Sequence, residues 1–439
     1  MNVLVLNGSP SGNNSITLQT VLFIEKYFKS CEFHILHVGQ RIRSYEKDFS
    51  EAAAALGKAD LILFCYPVYT FLVPSQLHRF VELMKNSGID LSGKYAAQIT
   101  TSKHFYDMTA HQFIQENCLD LGLVFIDGFS ADMDDLLHKK GQREALEFFR
   151  FVCWNLKEDK KSILKRKSGK VVIVADYPSC SGDVHEEDGK VAENSHLERL
   201  ISRFISKLPY DSSVVNIRDF QFAGGCLGCF HCASDGTCVY KDGFDDFLRM
   251  NIQASDAIVY AYTVKDHSMG SRFKMFDDRQ FCNGHRTVTM GKPVGYLVSG
   301  NLDKENNLKT LMAARAQVGG NYLAGTATNE EEAEQLARNL DYAISRHYNP
   351  PRNFYGVGGM KIFRDLIYEM QGMMKEDHRF YKEHGFYDFP QKKKGRIAAM
   401  YLVGTMLNNS KVRKKLGSKM TEGMLLPYKK VLKAVEKHK

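Results

Sequence analysis

Four cysteines, Cys226, Cys229, Cys232 and Cys238, fall within thirteen residues of a glycine-containing run, Gly224-Gly-Cys-Leu-Gly-Cys-Phe-His-Cys-Ala-Ser-Asp-Gly-Thr-Cys238. Three thiolates at i, i+3 and i+6 on a turning loop can wrap a small inorganic core, and a fourth six residues on can close its far corner, as a [4Fe–4S] cubane requires. Structural zinc is the rival ligand, although zinc sites usually draw two Cys-x2-Cys pairs from separated knuckles. A loop of reduced thiols is the plainest alternative. His231, inside the run, could tune a cluster through a hydrogen bond or simply face solvent. The other six cysteines (Cys31, Cys65, Cys118, Cys153, Cys180 and Cys282) lie mostly in apolar surroundings, where a buried structural thiol is the default.

A second set of residues suits an anion. The loop Asn7-Gly-Ser9-Pro-Ser11-Gly-Asn13-Asn14-Ser15 follows a strand-like Asn-Val-Leu-Val-Leu-Asn and precedes a helix-like stretch from Ile16. Small hydroxyl and amide side chains let backbone N–H groups close around a phosphate at the positive end of a helix. The loop matches neither Gly-x4-Gly-Lys-Ser/Thr nor Gly-x-Gly-x-x-Gly, and a lysine-free cradle suits a single phosphate monoester such as that of FMN. A plain Ser/Asn turn with a helix N-cap would read similarly.

The elements that position these groups recur. The strand Asp60-Leu-Ile-Leu-Phe-Cys-Tyr-Pro-Val-Tyr, with its loop and helix, aligns without a gap on Asp256-Ala-Ile-Val-Tyr-Ala-Tyr-Thr-Val-Lys and its own, 196 residues on. Gly93-Lys94 before one strand matches Gly291-Lys292 before another, and Asn2-Val-Leu-Val-Leu-Asn matches Lys170-Val-Val-Ile-Val-Ala. Continuous apolar strands separated by helical patterns predict parallel sheets covered on both faces. The reading is α/β: two doubly wound domains over 1–156 and 170–349, a charged linker over 157–169, and a basic, mostly helical extension over 350–439. In such sheets ligands bind beyond the carboxyl ends of the strands. The second domain's corresponding loop, from Asp176, carries six carboxylates that would repel a phosphate, while the first domain has no cysteine run.

The Gly-Ser-Pro loop, the strand end Tyr66-Pro67-Val68-Tyr69 with Pro74-Ser75-Gln76-Leu77 after it, and the compact cysteine run resemble the NADPH-dependent FMN reductase family, in particular its iron–sulfur flavoprotein branch, twice over residues 1 to about 345. The resemblance implies flavodoxin-like domains. It implies that Ser9, Ser11, Asn13, Asn14 and Ser15 hold the FMN phosphate, that Pro67, Val68, Tyr69, Thr70 and Phe71 meet the ring, and that Thr101 and Ser102 approach the ring edge. It also implies a [4Fe–4S] cluster on Cys226, Cys229, Cys232 and Cys238. The second domain has Thr263-Val264-Lys265-Asp266-His267 where the ring-contacting segment should be, so a second FMN is not expected there. A fused pseudo-dimer follows, with FMN in the first half facing the cluster of the second. Flavin trades electrons in pairs or singly and a cubane singly, so the expected activity is FMN- and [4Fe–4S]-dependent oxidoreduction, NAD(P)H-linked by resemblance, toward a small molecule or a redox protein such as ferredoxin. A redox carrier or sensor without its own substrate is the alternative. Tyr69, His104 and Tyr106 could donate protons near the flavin, but no catalytic residue is assigned.

Composition sets bounds on these readings. At 439 residues and 44% hydrophobic content the chain is long enough for two or three cores. Met1 runs directly into a strand pattern without a secretory signal, and no apolar stretch is long enough to span a membrane, so a cytoplasmic protein is expected, with homo-oligomerisation open. The net charge of +8 belongs to the C-terminal segment: residues 351–439 carry 20 Lys and Arg against 8 Asp and Glu, a net +12, leaving −4 for residues 1–350. Nucleic-acid binding is not expected, since no recognised module accompanies the charge. The extension is read as a helical appendage with solvated charges, membrane-surface or acidic-partner binding being the alternatives.

Overall fold

The structure is a computed structural model and describes residues 1–157, 166–178, 190–407 and 410–437. Its strands are β1 (Asn2–Asn7), β2 (Glu32–Leu36), β3 (Leu61–Pro67), β4 (Tyr95–Ser102), β5 (Val124–Asp132), β6 (Lys170–Ala175), β7 (Asp211–Asn216), β8 (Ala257–Thr263), β9 (Val294–Ser299) and β10 (Leu323–Ala327). Between them run α1 (Ile16–Tyr27), α2 (Val38–Lys47), α3 (Ser50–Lys58), α4 (Ser75–Asn86), α5 (Asp107–Asp120), α6 (Lys139–Lys157), α7 (Lys190–Ser206), α8 (His231–Asp235), α9 (Phe244–Phe247), α10 (Gly270–Arg279), α11 (Asn306–Gly319) and α12 (Glu330–Arg346). The C-terminal segment forms α13 (Phe354–Glu369), α14 (Lys375–Glu383), α15 (Lys394–Leu407) and α16 (Ser410–Lys437).

Two parallel five-stranded sheets result, in the orders β2-β1-β3-β4-β5 and β7-β6-β8-β9-β10. Both have the flavodoxin-like order 2-1-3-4-5, with the strand order reversing beside the first strand, where this architecture binds ligands. The central strands are apolar on both faces because helices cover both: Val3 to Leu6, Leu61 to Tyr66, Val171 to Ala175 and Ala257 to Val259 are buried.

The duplication extends to individual bonds. Asp60 accepts the N–H of Asn2, and Asp256 that of Lys170, both at 2.7 Å. Lys94 Nζ donates to the carbonyls of Gly57 and Ala59, and Lys292 Nζ to those of Gln253 and Ser255. The turn after the third strand of each sheet is closed by reciprocal bonds, Tyr69 with Leu72 and Lys265 with Ser268. Its two central residues are left-handed in both copies: Thr70 and Phe71 (φ 45° and 71°), Asp266 and His267 (φ 50° and 59°). Non-glycine residues tolerate such backbone only where the surroundings impose it.

The chain divides into two compact units, Met1–Asp159 with Phe389–Lys439, and Lys160–Asp388. The C-terminal segment is therefore shared between them. In the first unit, α16 buries Leu425 and Tyr428 against Phe23 of α1 and Leu136. In the second, α13 and α14 pack Met360, Ile367, Met374 and Tyr381 against Ala233 of α8, inside the cysteine run.

Candidate functional site

In the first unit the chain leaves β1 through Asn7, whose Oδ1 accepts the N–H of Ser9 (3.2 Å) and whose Nδ2 donates to the carbonyl of Gly12 (3.0 Å). Ser9 Oγ accepts the N–H of Ser11, and Ser15 caps α1 by accepting the N–H of Leu18. The left-handed Gly12 (φ 53°) turns the loop back over the start of α1, where a Cβ would meet the Gln40 side chain at 2.1 Å. The loop thus presents hydroxyls beside the first turn of α1, whose opening N–H groups have no partner within the helix.

This loop and the turn after β3 border one cavity of about 620 Å³, within the size range of cofactor sites. Its lining includes Ser9, Ser11, Asn14, Ser15, Pro67, Val68, Tyr69, Thr70, Phe71, Thr101 and Ser102, eleven of the twelve residues expected around a flavin. Asn13 stands outside the lining; its carbonyl accepts from Gln19 Nε2 at 3.1 Å. Polar groups gather at the α1 end and aromatic or apolar ones at the β3 end, as a phosphate and a flat ring need. Thr17 Oγ1 and Thr101 Oγ1, 2.6 Å apart, tie helix and strand at the floor. Sequence reasoning missed Lys103, Phe105 and Met133, and also Met424 and Leu425, which α16 brings to the same cavity. Lys103 pairs with Asp132. Tyr69 and Tyr106 are exposed, and Tyr69 lines the cavity. The buried His104 instead directs Nδ1 to Asp107 at 3.0 Å.

In the second unit the four cysteines line a common cavity of about 60 Å³ with Leu227, Phe230, Ala233, Val239 and Phe281. Left-handed Gly228, Phe230 and Gly236 wind the chain around it. Both ends of the loop are fixed by one ion pair: Asp242 binds Arg279 through two bonds of 2.8 Å and accepts the N–H groups of Ala223 and Phe244, while Arg279 also donates to the carbonyl of Gly224. The Arg279 guanidinium beside Asp242 lowers its carboxyl to about 2. Arg279 lies over the rings of Tyr240 and Phe244. Arg286 donates to the carbonyls of Cys232 and Cys282 and lies 3.5 Å from the buried Asp377 of α14, which accepts the backbone N–H and Nδ1 of His285.

The thiols differ. Cys226 and Cys229 are exposed, while Cys232 and Cys238 are half-buried. Burial, reinforced by Asp377, pushes the Cys232 thiol up to about 11, and its Sγ donates to the carbonyl of Phe281 at 2.9 Å. A fifth cysteine, Cys282, lines the same cavity, buried, with its thiol pushed up to about 12 by burial and by Asp245. Sequence reasoning grouped it with the packing thiols. His231 is turned away from the cavity, toward the carbonyl of Thr237 (3.1 Å) and Asp235.

A cubane takes one thiolate on each corner iron, and an all-thiol set around an apolar hollow suits it. Among the described residues no group of three or more Cys, His, Asp or Glu side chains, the four cysteines included, is drawn together as closely as a bound metal would draw them. A larger cavity of about 410 Å³, walled by Tyr260, Phe273 and Tyr296, shares Phe281, Gly284 and His285 with the thiol cavity. Of the acidic loop after β6 the structure describes residues 176–178, where Asp176 binds Arg218 at 2.6 Å. Residues 179–189 of that loop, and 158–165 of the expected linker, lie outside the described residues, and from Lys190 the chain is already α7.

The sheets have flavodoxin-like architecture. Residues 1–130 match the family model of NADPH-dependent FMN reductase, and that match makes the protein a flavin-dependent oxidoreductase. The chain is similar to the iron-sulfur flavoprotein of Archaeoglobus fulgidus, 27% identical over 174 residues that cover 37% of this chain and 79% of that protein. Among solved structures it is similar to the NAD(P)H:quinone oxidoreductase of Methanothermobacter marburgensis (14% identity, 37% and 99% of the two chains, TM-score 0.30) and to an archaeal flavodoxin (15% identity, 36% and 100%, TM-score 0.28). The family match lies within the first sheet's residues; the second copy rests on strand order and shared bonding.

Proposed function

We propose that the protein is an FMN- and [4Fe–4S]-dependent oxidoreductase, NAD(P)H-linked, that passes electrons between the two centres to a small-molecule or protein acceptor. The observation that carries this reading is the separation of two donor sets, one per unit: a hydroxyl-rich, ring-sized cavity in the first and an all-thiol cavity in the second. The similarity to an iron–sulfur flavoprotein supports the pairing.

Ser9, Ser11 and Ser15 would hold the phosphate with the opening N–H groups of α1. Pro67, Val68, Tyr69 and Phe71 would stack on the ring, and Met424 and Leu425 would exclude water from it. Flavin supplies two-electron exchange with a hydride donor and one-electron exchange with a cluster. In the second unit the Arg279–Asp242 pair holds the cysteine loop in shape, and Arg286 and Cys282 border the thiols. Binding iron requires Cys232 to lose the proton that it gives to the Phe281 carbonyl. Cys282 is the more buried of the two and lies outside the contiguous run.

Anaerobic purification with assay of iron, acid-labile sulfide and released flavin tests this directly. About four irons, four sulfides and one FMN per chain are expected; zinc without sulfide would defeat the electron relay and leave a flavoprotein with a structural metal. Stopped-flow mixing with NADH or NADPH should bleach the flavin first and the cluster second. Reoxidation by small acceptors marks an enzyme, whereas reoxidation by a redox protein alone marks a carrier.

A further inference from the structure

Helix α15 is an anomaly for a water-soluble surface. Ile397, Met400, Tyr401, Leu402, Val403 and Met406 are all exposed, Tyr401 at 75%, Leu402 at 70% and Met406 at 64%. At 100° per residue these six point to every quarter of the helix, so they form no single stripe that one docked partner could cover. Added Cβ atoms on Gly395 and Gly404 would meet nothing within 4 Å. Contacts such as Arg396 with Asp134 (3.5 Å) hold the helix to the first unit without burying it. An apolar patch of this kind marks an interaction site.

The charge around it is one-sided. Lys392, Lys393, Lys394 and Arg396 lie at its start, and Lys411, Arg413, Lys414, Lys415 and Lys419 follow it in sequence; no Asp or Glu occurs between Asp388 and Glu422. Fourteen residues give a helix of about 21 Å, short of the roughly 30 Å hydrocarbon core of a bilayer, and no described helix is long and apolar enough to cross a membrane.

We propose that α15 is a monotopic membrane anchor that sinks into one leaflet of an anionic bilayer. Acyl chains around the helix account for apolar residues on several of its sides, and lipid phosphates account for the cations that precede and follow it in sequence. The helix would then hold the neighbouring flavin cavity at the lipid surface, since Lys103 lines both that cavity and the groove under α15.

The test is sedimentation of the full chain with phosphatidylcholine vesicles, with and without one-third phosphatidylglycerol, alongside sedimentation velocity without lipid. Neither readout depends on flavin, iron or turnover. The parent chain should bind anionic vesicles at least tenfold better than neutral ones, with binding weakened by salt. Leu402→Asp with Met406→Asp should abolish binding, and Lys392→Glu with Lys393→Glu should reduce it about tenfold, while both double variants keep the parent's flavin content and far-UV circular dichroism. Failure of the parent to bind overturns the proposal, as does equal binding to both vesicle types. A parent dimer that Leu402→Asp with Met406→Asp converts to monomer, without vesicle binding by the parent, would assign α15 to a second copy instead.

Discussion

If the proposed cluster sits on the cysteine run, serine at position 226, 229, 232 or 238 removes a thiolate that one of its irons needs, so each of these four variants is expected to lose most of its iron and acid-labile sulfide per chain. Cys282→Ala is expected to keep both, because that thiol is buried and lies outside the contiguous run. Iron loss in Cys282→Ala with retention in one of the four would exchange their roles. The cysteine run was legible as one cavity lining because its thiols are nearly contiguous, and so was the hydroxyl loop after β1. Cys282, Met424 and Leu425 were not: each reaches its cavity by packing from a distant stretch and carries no local signature. Charged side chains did not hide the repeated backbone. Lys265, Asp266 and His267 occupy a turn whose backbone repeats that of Tyr69, Thr70 and Phe71, and His267 is spent on Glu305 at 3.0 Å.

At the scale of elements, α5 and α16 make separate predictions. His111 on α5 faces Thr100 of β4 (Nε2 to Oγ1, 2.8 Å), and burial lowers its pKa to about 4. An unfolded histidine titrates near 6.5, so between those values the unfolded chain binds the extra proton. The stability that this neutral imidazole contributes is present above pH 6.5 and is lost as pH falls toward 4, by up to about 3 kcal/mol. Denaturant titrations at pH 7 and 4.5 should show this loss and show it flattened in His111→Gln; an unchanged slope would place the titration elsewhere. On α16, Leu425 is buried against Phe23 and Leu136 and also lines the first cavity, the proposed flavin site. Leu425→Ala should cost about 3 kcal/mol and speed flavin release on dilution, whereas destabilisation with unchanged flavin release would limit Leu425 to packing. These helices were foreseeable as helices, but the place where α16 docks was not, because an amphipathic pattern names a buried face without naming what buries it.

For the whole molecule, the repeated fold was readable because the two strand-loop-helix blocks align without a gap, and the structure extends that alignment to matching hydrogen bonds and turns. The division of the C-terminal segment was not readable, since helices over 354–437 look like one appendage in sequence. Its shared allegiance predicts that a chain ending at residue 388 retains iron while losing flavin; retention of both would show that α16 is dispensable to the first cavity. The split also orders the making of the protein. Domains fold as they leave the ribosome, the N-terminal part first, yet here the last stretch of the first unit is translated only after all of the second. The half begun first is thus finished last: the cysteine loop and its α13–α14 cover are translated before the helix that brings Met424 and Leu425 to the first cavity.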